Sequence, residues 1–250
     1  MRILIIGGTS GIGWAVAKRY LRAGHEVAVC GRDLQRLQAV LENANANENA
    51  GARLASYELD INDRTALAAA LDDFTSAGPL DLLLVCAGFY FNSRHHQLDK
   101  TVTLRMLQTN ISGLAHAFEL AANKMLAQGS GQLAAISSVA GLLKDYPGAS
   151  LYSACKRSVL NLCDSYRIGL APFSISVTAI VPGYVNTEKL RQLNGGDASR
   201  KPFILSEEAA ATLIVDAIQK RMPVCVFPWQ MRWLIRMLNW LPSSLLGLRR

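Results

Sequence analysis

Three side chains in the second half of the chain are the ones best suited to moving protons. They are Ser138, within Ser137-Ser138-Val139-Ala140-Gly141, and Tyr152 and Lys156, within Tyr152-Ser153-Ala154-Cys155-Lys156. A tyrosine and a lysine at i and i+4 share one face of a helix. A free phenol, with a pKa of about 10, is a poor acid or base at neutral pH, but an ammonium beside it favours the phenolate. The spacing therefore predicts a phenol whose pKa is lowered by Lys156. Ser138, at the end of an apolar run, can donate a hydrogen bond to an oxygen on which negative charge develops as hydride reaches a carbonyl.

A second feature is a glycine-rich turn. The run Ile3-Leu4-Ile5-Ile6 leads into Gly7-Gly8-Thr9-Ser10-Gly11-Ile12-Gly13 and then into a helical pattern. Glycines let backbone come close to a ligand, and N–H groups at a helix start can face a pyrophosphate. The spacing is G-x-x-x-G-x-G, and its place after the first strand of an α/β pattern favours a dinucleotide over an empty turn. After the second strand comes Cys30-Gly31-Arg32-Asp33. An acid there would bind a ribose 2′-hydroxyl, but Gly31 stands in its place and Arg32 follows, suited to a 2′-phosphate. The expected cofactor is NADP(H) in preference to NAD(H). Asp33 can cap the next helix. Asp60, after the third strand, has two readings: contact with the adenine end of the cofactor, or a cap for the helix beginning near Arg64.

These groups need a scaffold, and the hydrophobic pattern supplies one. Short continuous apolar runs alternate with helical stretches, as expected of parallel strands covered on both faces. The expected strands are Arg2 to Ile6, Glu26 to Cys30, Leu54 to Glu58, Leu80 to Cys86, Gly131 to Ser137, Ile175 to Val181 and Val224 to Phe227. Helices between them give a doubly wound α/β fold of Rossmann type with a mainly parallel seven-stranded sheet. A single domain over 1–227 is expected, with a substrate lid at about 187–205 around Asn194-Gly195-Gly196-Asp197, and a C-terminal tail over 228–250. The patch Glu42 to Ala50 reads as a solvated helix end and loop.

Half of the 250 residues are apolar and 18% are charged, enough for one large core. The net charge of +7 is concentrated late: after Asp216 there is no acid, but there are six cations, Lys220, Arg221, Arg232, Arg236, Arg249 and Arg250. A basic tail on a nearly neutral body argues against nucleic-acid binding. The five cysteines form no C-x-x-C pair and read as reduced thiols in the cytoplasm, with Cys155 in a packing role. The glycine motif begins too early to leave room for a signal peptide, and no uncharged run is long enough to span a membrane. His95, His96 and His116 lack partners at metal-ligand spacing, so no metal site is expected.

Further motifs follow in order: Cys86-Ala87-Gly88 after the fourth strand, Asn110 in Asn110-Ile111-Ser112-Gly113, and Pro182-Gly183-Tyr184-Val185-Asn186-Thr187. With the glycine turn and the Tyr152/Lys156 pair, the chain resembles the short-chain dehydrogenase/reductase family over essentially residues 1–227. The resemblance implies an oxidoreductase with Asn110, Ser138, Tyr152 and Lys156 as a catalytic tetrad. In it Tyr152 gives the proton, Lys156 also holds the nicotinamide ribose, Ser138 fixes the substrate oxygen and Asn110 supports a water-linked proton path. It also implies cofactor contacts from Gly7, Thr9, Ser10, Gly11, Ile12, Gly13, Arg32, Asp60, Ile61, Cys86, Ala87, Gly88, Pro182, Gly183, Val185 and Thr187, besides Tyr152 and Lys156. Three departures stand out, the first being Gly7 at the position where the family commonly has threonine. Cys86 replaces the usual asparagine, and the Ser138 to Tyr152 interval is about one residue longer than common, with the extra residue placed in Leu142 to Ala149. Ser137 as the catalytic serine would lengthen the interval further. The family's pairing of long helices implies a homodimer or homotetramer.

The tail adds Trp229 to Trp240, amphipathic, with three tryptophans, basic residues and no acid. It has the composition of a helix lying in a membrane interface, and equally of one packed on its own domain or on a partner subunit. Placed over the cleft, it would suit a hydrophobic or lipid-like carbonyl or alcohol, as would Leu142, Leu143, Tyr146 and Tyr184. The location expected is therefore cytoplasmic, with membrane-surface contact through 229–250 as one reading of the tail. Two rival readings remain: a dinucleotide-binding sensor or scaffold without turnover, and a sugar or polyol dehydrogenase of the same family.

Overall fold

The apolar runs become seven parallel strands: β1 (Arg2–Ile6), β2 (Glu26–Gly31), β3 (Leu54–Glu58), β4 (Leu82–Val85), β5 (Gly131–Ile136), β6 (Ile175–Pro182) and β7 (Val224–Phe227). A computed structural model describes residues 1–46, 54–90, 99–143 and 150–240. The helices in chain order are α1 (Gly11–Arg22), α2 (Leu34–Ala46), α3 (Arg64–Thr75), α4 (Lys100–Leu107), α5 (Gly113–Gln128), α6 (Leu151–Leu170), α7 (Glu188–Gln192), α8 (Glu207–Gln219) and α9 (Trp229–Trp240).

The strands lie in the order β3-β2-β1-β4-β5-β6-β7. Alternate side chains along each strand enter two separate cores, which is why the runs are continuous. Leu4 and Ile6 join Leu67, Phe118 and Val159 on one face, beneath α3, α5 and α6. Ile3 and Ile5 join Val16, Tyr20, Leu37 and Ile214 on the other, beneath α1, α2 and α8. Successive strands run outward in one direction from β1 to β3 and in the other from β4 to β7. The C-terminal ends of β1 and β4 therefore form a crevice at the switch point, where α/β sheets hold ligands.

Strand ends differ from expectation for local reasons. The Cys86 and Ala87 N–H groups both donate to the Ile6 carbonyl, at 2.8 and 2.9 Å, so the chain bends across β1 and β4 stops at Val85. Ser137 leaves β5 because its hydroxyl is bonded to α6. Helix starts carry the side-chain caps that orphaned N–H groups call for. Ser206 accepts from Ala209 N at the head of α8, Ser150 and Ser153 form a reciprocal box at α6, and Asp33 accepts from Arg36 N. The cap of α3 is Asp63, not Asp60.

The tail helix forms with the bounds its pattern suggests. Met231 and Ile235 are its buried residues, and Asn239 turns inward to donate to the Leu142 carbonyl at 2.8 Å. The residues 47–50 of the low-complexity patch, His95, His96, Tyr146 and the leucines beyond Trp240 lie outside the described residues.

Candidate active site

The crevice begins with the turn after β1. Gly7 has φ +79°, and a Cβ there would lie 2.6 Å from the Ala87 backbone nitrogen, so only glycine lets the turns after β1 and β4 touch. Gly7 N and Gly8 N both donate to the Cys30 carbonyl, at 2.9 and 3.2 Å, which fixes the turn to the end of β2. Ser10 precedes α1, and its side chain makes no capping bond. The first N–H groups of α1, at Gly11, Ile12 and Gly13, are thus left to an outside acceptor, and the helix dipole favours an anion. Thr187 closes over this point, its Cγ2 3.3 Å from where a Gly11 Cβ would lie, while its Oγ1 accepts from Leu190 N at the head of α7.

Charge around the turn is mostly positive. Arg32, half exposed, pairs with Asp60 at 3.3 Å, and Asp60 also accepts from Asn62. An acid in place of Gly31 would drive its Cβ to within 2.7 Å of Thr9 Cγ2, so Thr9 fills the place where an acid would stand. Two cations that the sequence reading passed over join them. Arg36, one turn beyond Arg32, reaches Glu188 at 3.3 Å. It lines a groove of about 480 Å³ with Thr9, Ser10, Gly11 and Trp14. Lys189 donates to the Gly88 carbonyl at 3.4 Å and lies 5.8 Å from the Phe89 ring centroid, with Arg105 on the same ring at 4.7 Å. Burial, with the charges of Arg32 and Arg105, pushes the Lys189 pKa down. The periodicity of Arg36 with Arg32 was a usable signal; nothing local marked Lys189.

The polar side chains on the other side of the crevice are brought together by β5, α5 and α6. Ser137 is buried and its Oγ donates to the Lys156 carbonyl at 2.7 Å. Its neighbour Ser138 is half-buried and hydrogen-bonds Tyr152. Tyr152 meets Tyr90 edge to face, with centroids 4.8 Å apart. Tyr90 is another residue that sequence reasoning missed, since it follows the motif Cys86-Ala87-Gly88 without belonging to it. Lys156, 5% exposed, donates to the Ile136 carbonyl at 3.1 Å, with its ammonium 5.8 Å from the Tyr152 ring centroid.

The lowered phenol pKa expected from the i, i+4 spacing is not found. Burial pushes Tyr152 up to about 12, against a smaller opposing effect of the Ser138 hydrogen bond. Burial likewise lowers Lys156 to about 8. The ammonium donates to a carbonyl at the end of β5, and desolvation dominates the phenol.

Asn110 sits in a π-helical turn, Gln108–Ser112, between α4 and α5. Its Nδ2 donates to the carbonyls of Phe89 and Met106, at 2.8 and 3.0 Å, whereas its buried Oδ1 has no partner among the described residues. A Cβ added to Gly88 would lie 3.2 Å from both that Oδ1 and the Lys156 ammonium. An orphaned buried acceptor beside an ammonium, next to an exposed glycine, is a place for water or a ligand hydroxyl.

The remaining residues frame these two halves. Ile61 is buried against Gly113, and Cys86, its thiol pushed up to about 12 by burial, faces the Lys156 side. Gly183 N donates to the Phe227 carbonyl at 2.7 Å, Val185 is buried and pairs with Leu205, and Met231 of α9 lies 3.1 Å from the place of a Gly183 Cβ. Cys155 is buried. No cluster of metal-ligating side chains occurs among the described residues. The glycine cradle, the open start of α1 and the orphaned Asn110 acceptor fit a dinucleotide lying from Arg32 to Gly88.

Comparison with known proteins agrees with this layout. The short chain dehydrogenase family model matches residues 1–197. An uncharacterized oxidoreductase of Myxococcus xanthus is 31% identical over 245 residues, covering 97% of this chain and 93% of that protein. The glycine betaine reductase ATRR of Emericella nidulans is 30% identical over 224 residues, which is 87% of this chain but 17% of that much longer protein. Among solved structures, a short-chain dehydrogenase from Sphingobium yanoikuyae in complex with NADPH superposes with a TM-score of 0.82 at 25% identity, covering 98% of this chain and 93% of that one. From its β1 turn to the strand and turn that carry Thr187, the chain belongs to the short-chain dehydrogenase family of oxidoreductases.

Proposed function

We propose that this chain is an NADP(H)-dependent carbonyl reductase or alcohol dehydrogenase in which Tyr152 passes the proton and the substrate is hydrophobic or lipid-like. The observation that carries the reading is the convergence of Ser138, Tyr152 and Lys156 beside Gly88, with the unpartnered Asn110 acceptor behind them. When bound, the reduced nicotinamide supplies the hydride. Ser138 holds the carbonyl oxygen, and Tyr152, fully protonated at neutral pH with a pKa of about 12, is a proton donor in the direction of reduction. Lys156 keeps its charge below about pH 8 and offsets the phenolate as the proton leaves. Tyr90, Leu142 and Tyr184 give the cleft apolar walls.

Arg32 at the end of β2, Gly31 in place of an acid, and the nearby Arg36 support NADP(H) over NAD(H). The chain that matches over 98% of this one was solved with NADPH. The same reading has the protein in the cytoplasm as a homodimer or homotetramer through the helices that carry Asn110 and Tyr152, with 229–250 facing a membrane surface. Apolar side chains exposed on or beside these helices, Leu104, Leu126 and Ile168, suit such pairing.

The test is turnover of NADPH with hydrophobic ketones and aldehydes, together with fluorescence titration of NADPH and NADH. Tyr152→Phe is expected to lose about a thousandfold in kcat while keeping NADPH affinity. Arg32→Ala is expected to lose roughly tenfold in NADPH affinity and little for NADH. Unchanged turnover in Tyr152→Phe would remove the assigned chemistry, and equal loss for both cofactors would remove the role of Arg32.

A further inference from the structure

Helix α9 has two faces of different character. Met231 and Ile235 are buried, Met231 against Gly183, and Asn239 is bonded to the Leu142 carbonyl. This inner face therefore spans from the turn after β6 to the 3₁₀ turn that follows Ser138. On the opposite side, Trp229, Trp233, Met237 and Trp240 are 67%, 58%, 65% and 87% exposed. Their spacings of four, four and three residues place them in one stripe along a helix of 3.6 residues per turn, about 16 Å long. Arg232 and Arg236 flank the stripe, and the Arg236 guanidinium lies 5.7 Å from the Trp233 ring centroid.

We infer that this outer face docks on a lipid bilayer surface bearing anionic headgroups, so that α9 lies in the interface and holds the mouth of the cleft against the membrane. Tryptophan is the side chain best suited to the boundary between headgroup and acyl chain. The flanking arginines meet the headgroup charge, and no acid follows Asp216 to oppose it. No described helix is long and apolar enough to cross a membrane, which fits a helix that lies on it. A second copy of the same face is a poorer occupant, because two-fold pairing would set Arg232 and Arg236 against their own kind with no acid in the segment. The inner face makes the docking consequential: the helix that touches lipid also walls the site, so an apolar substrate can pass from bilayer to cleft without crossing water. The inference deepens the hydrophobic-substrate reading above, and its test uses no turnover.

Three of the four tryptophans belong to the stripe, so tryptophan emission reports on it directly. The experiment titrates the full chain with vesicles of phosphatidylcholine alone and of phosphatidylcholine with phosphatidylglycerol, following emission and co-sedimentation at low and high salt. Expected are a blue shift and sedimentation with the anionic vesicles, both weakened by salt. Arg232→Glu/Arg236→Glu and Trp229→Ser/Trp233→Ser/Trp240→Ser are each expected to lower apparent affinity tenfold or more, with NADPH affinity and thermal midpoint unchanged as evidence of folding. No response to anionic vesicles, or binding equal in both variants and wild type, overturns the inference. So does a dimer, seen by sedimentation velocity, that the triple tryptophan variant dissociates.

Discussion

At the end of β1 the crevice is made of backbone, whereas at the ends of β5 and α6 it is made of side chains. The turn from Gly7 to Gly13 offers N–H groups and space, and its order comes from contacts such as Gly7 against Ala87 that admit no Cβ. The other half offers a hydroxyl, a phenol, an amide and an ammonium, each held by a hydrogen bond or buried among neighbours. The difference teaches what kind of change each half can survive. A backbone-made site fails through sterics and takes its stability with it; a side-chain site can lose its chemistry and keep its fold.

The largest effect should come from Gly7→Ala. The new methyl meets Ala87 in a left-handed backbone conformation, so a cost of about 1–3 kcal/mol from the backbone alone adds to the clash. We expect the thermal midpoint to fall by several degrees and NADPH affinity by roughly a hundredfold or more, both read in one thermal-shift titration. Retained affinity with only lost stability would show that the turn is structural and not part of the binding surface.

Two adjacent serines sharpen the contrast within the side-chain half. Ser137→Ala removes a second, buried hydrogen bond to the Lys156 carbonyl, which lies inside α6, and is expected to cost about 0.5–1.5 kcal/mol in urea unfolding. Ser138→Ala should lower kcat by roughly a hundredfold, with a stability loss of about 1 kcal/mol at most, from the hydrogen bond its Oγ accepts from Ala140 N. The opposite pattern would exchange the roles of the two hydroxyls.

The most gradual effect is the titration of Lys156. Its folded pKa of about 8 lies below the ordinary 10.5, so between these values the unfolded chain holds the proton and the folded chain does not. The stability of the wild type should therefore rise with pH across that window relative to Lys156→Met, with a slope approaching ~1.4 kcal/mol per pH unit. Over the same range the reduction rate should fall as the ammonium loses its proton. A flat stability difference in paired denaturation curves would remove the burial argument.

Much of this was legible because the signals are local. Continuous apolar runs gave seven strands, and the spacing of Gly7, Gly11 and Gly13 marked the first turn. The order of Ser138, Tyr152 and Lys156 marked the side chains that converge beside Gly88, to which we assign proton transfer. What was not legible depends on partners distant in sequence. The Tyr152 pKa is set by how deeply α6 and Tyr90 enclose the ring, which spacing cannot express. Lys189 reaches Gly88 across a hundred positions, and Asp63 instead of Asp60 caps α3 because the chain makes one extra turn before the helix begins. The inward direction of Asn239 follows from a carbonyl on another element, which the helical pattern of the tail does not express.

The π-helical turn at Gln108–Ser112 bears on how such a chain can be engineered. It is equivalent to one residue inserted between α4 and α5, and that insertion turns Asn110 toward Phe89 and Met106. Removing any single residue from this stretch would restore regular hydrogen bonding and rotate everything on its N-terminal side by about 100° relative to α5. A shortened variant would then be a better helix and a worse site, so length in this stretch is under tighter constraint than composition. Libraries that vary residues here should keep their number fixed, and alignments that close this position with a gap would misplace α4 in any design built on them.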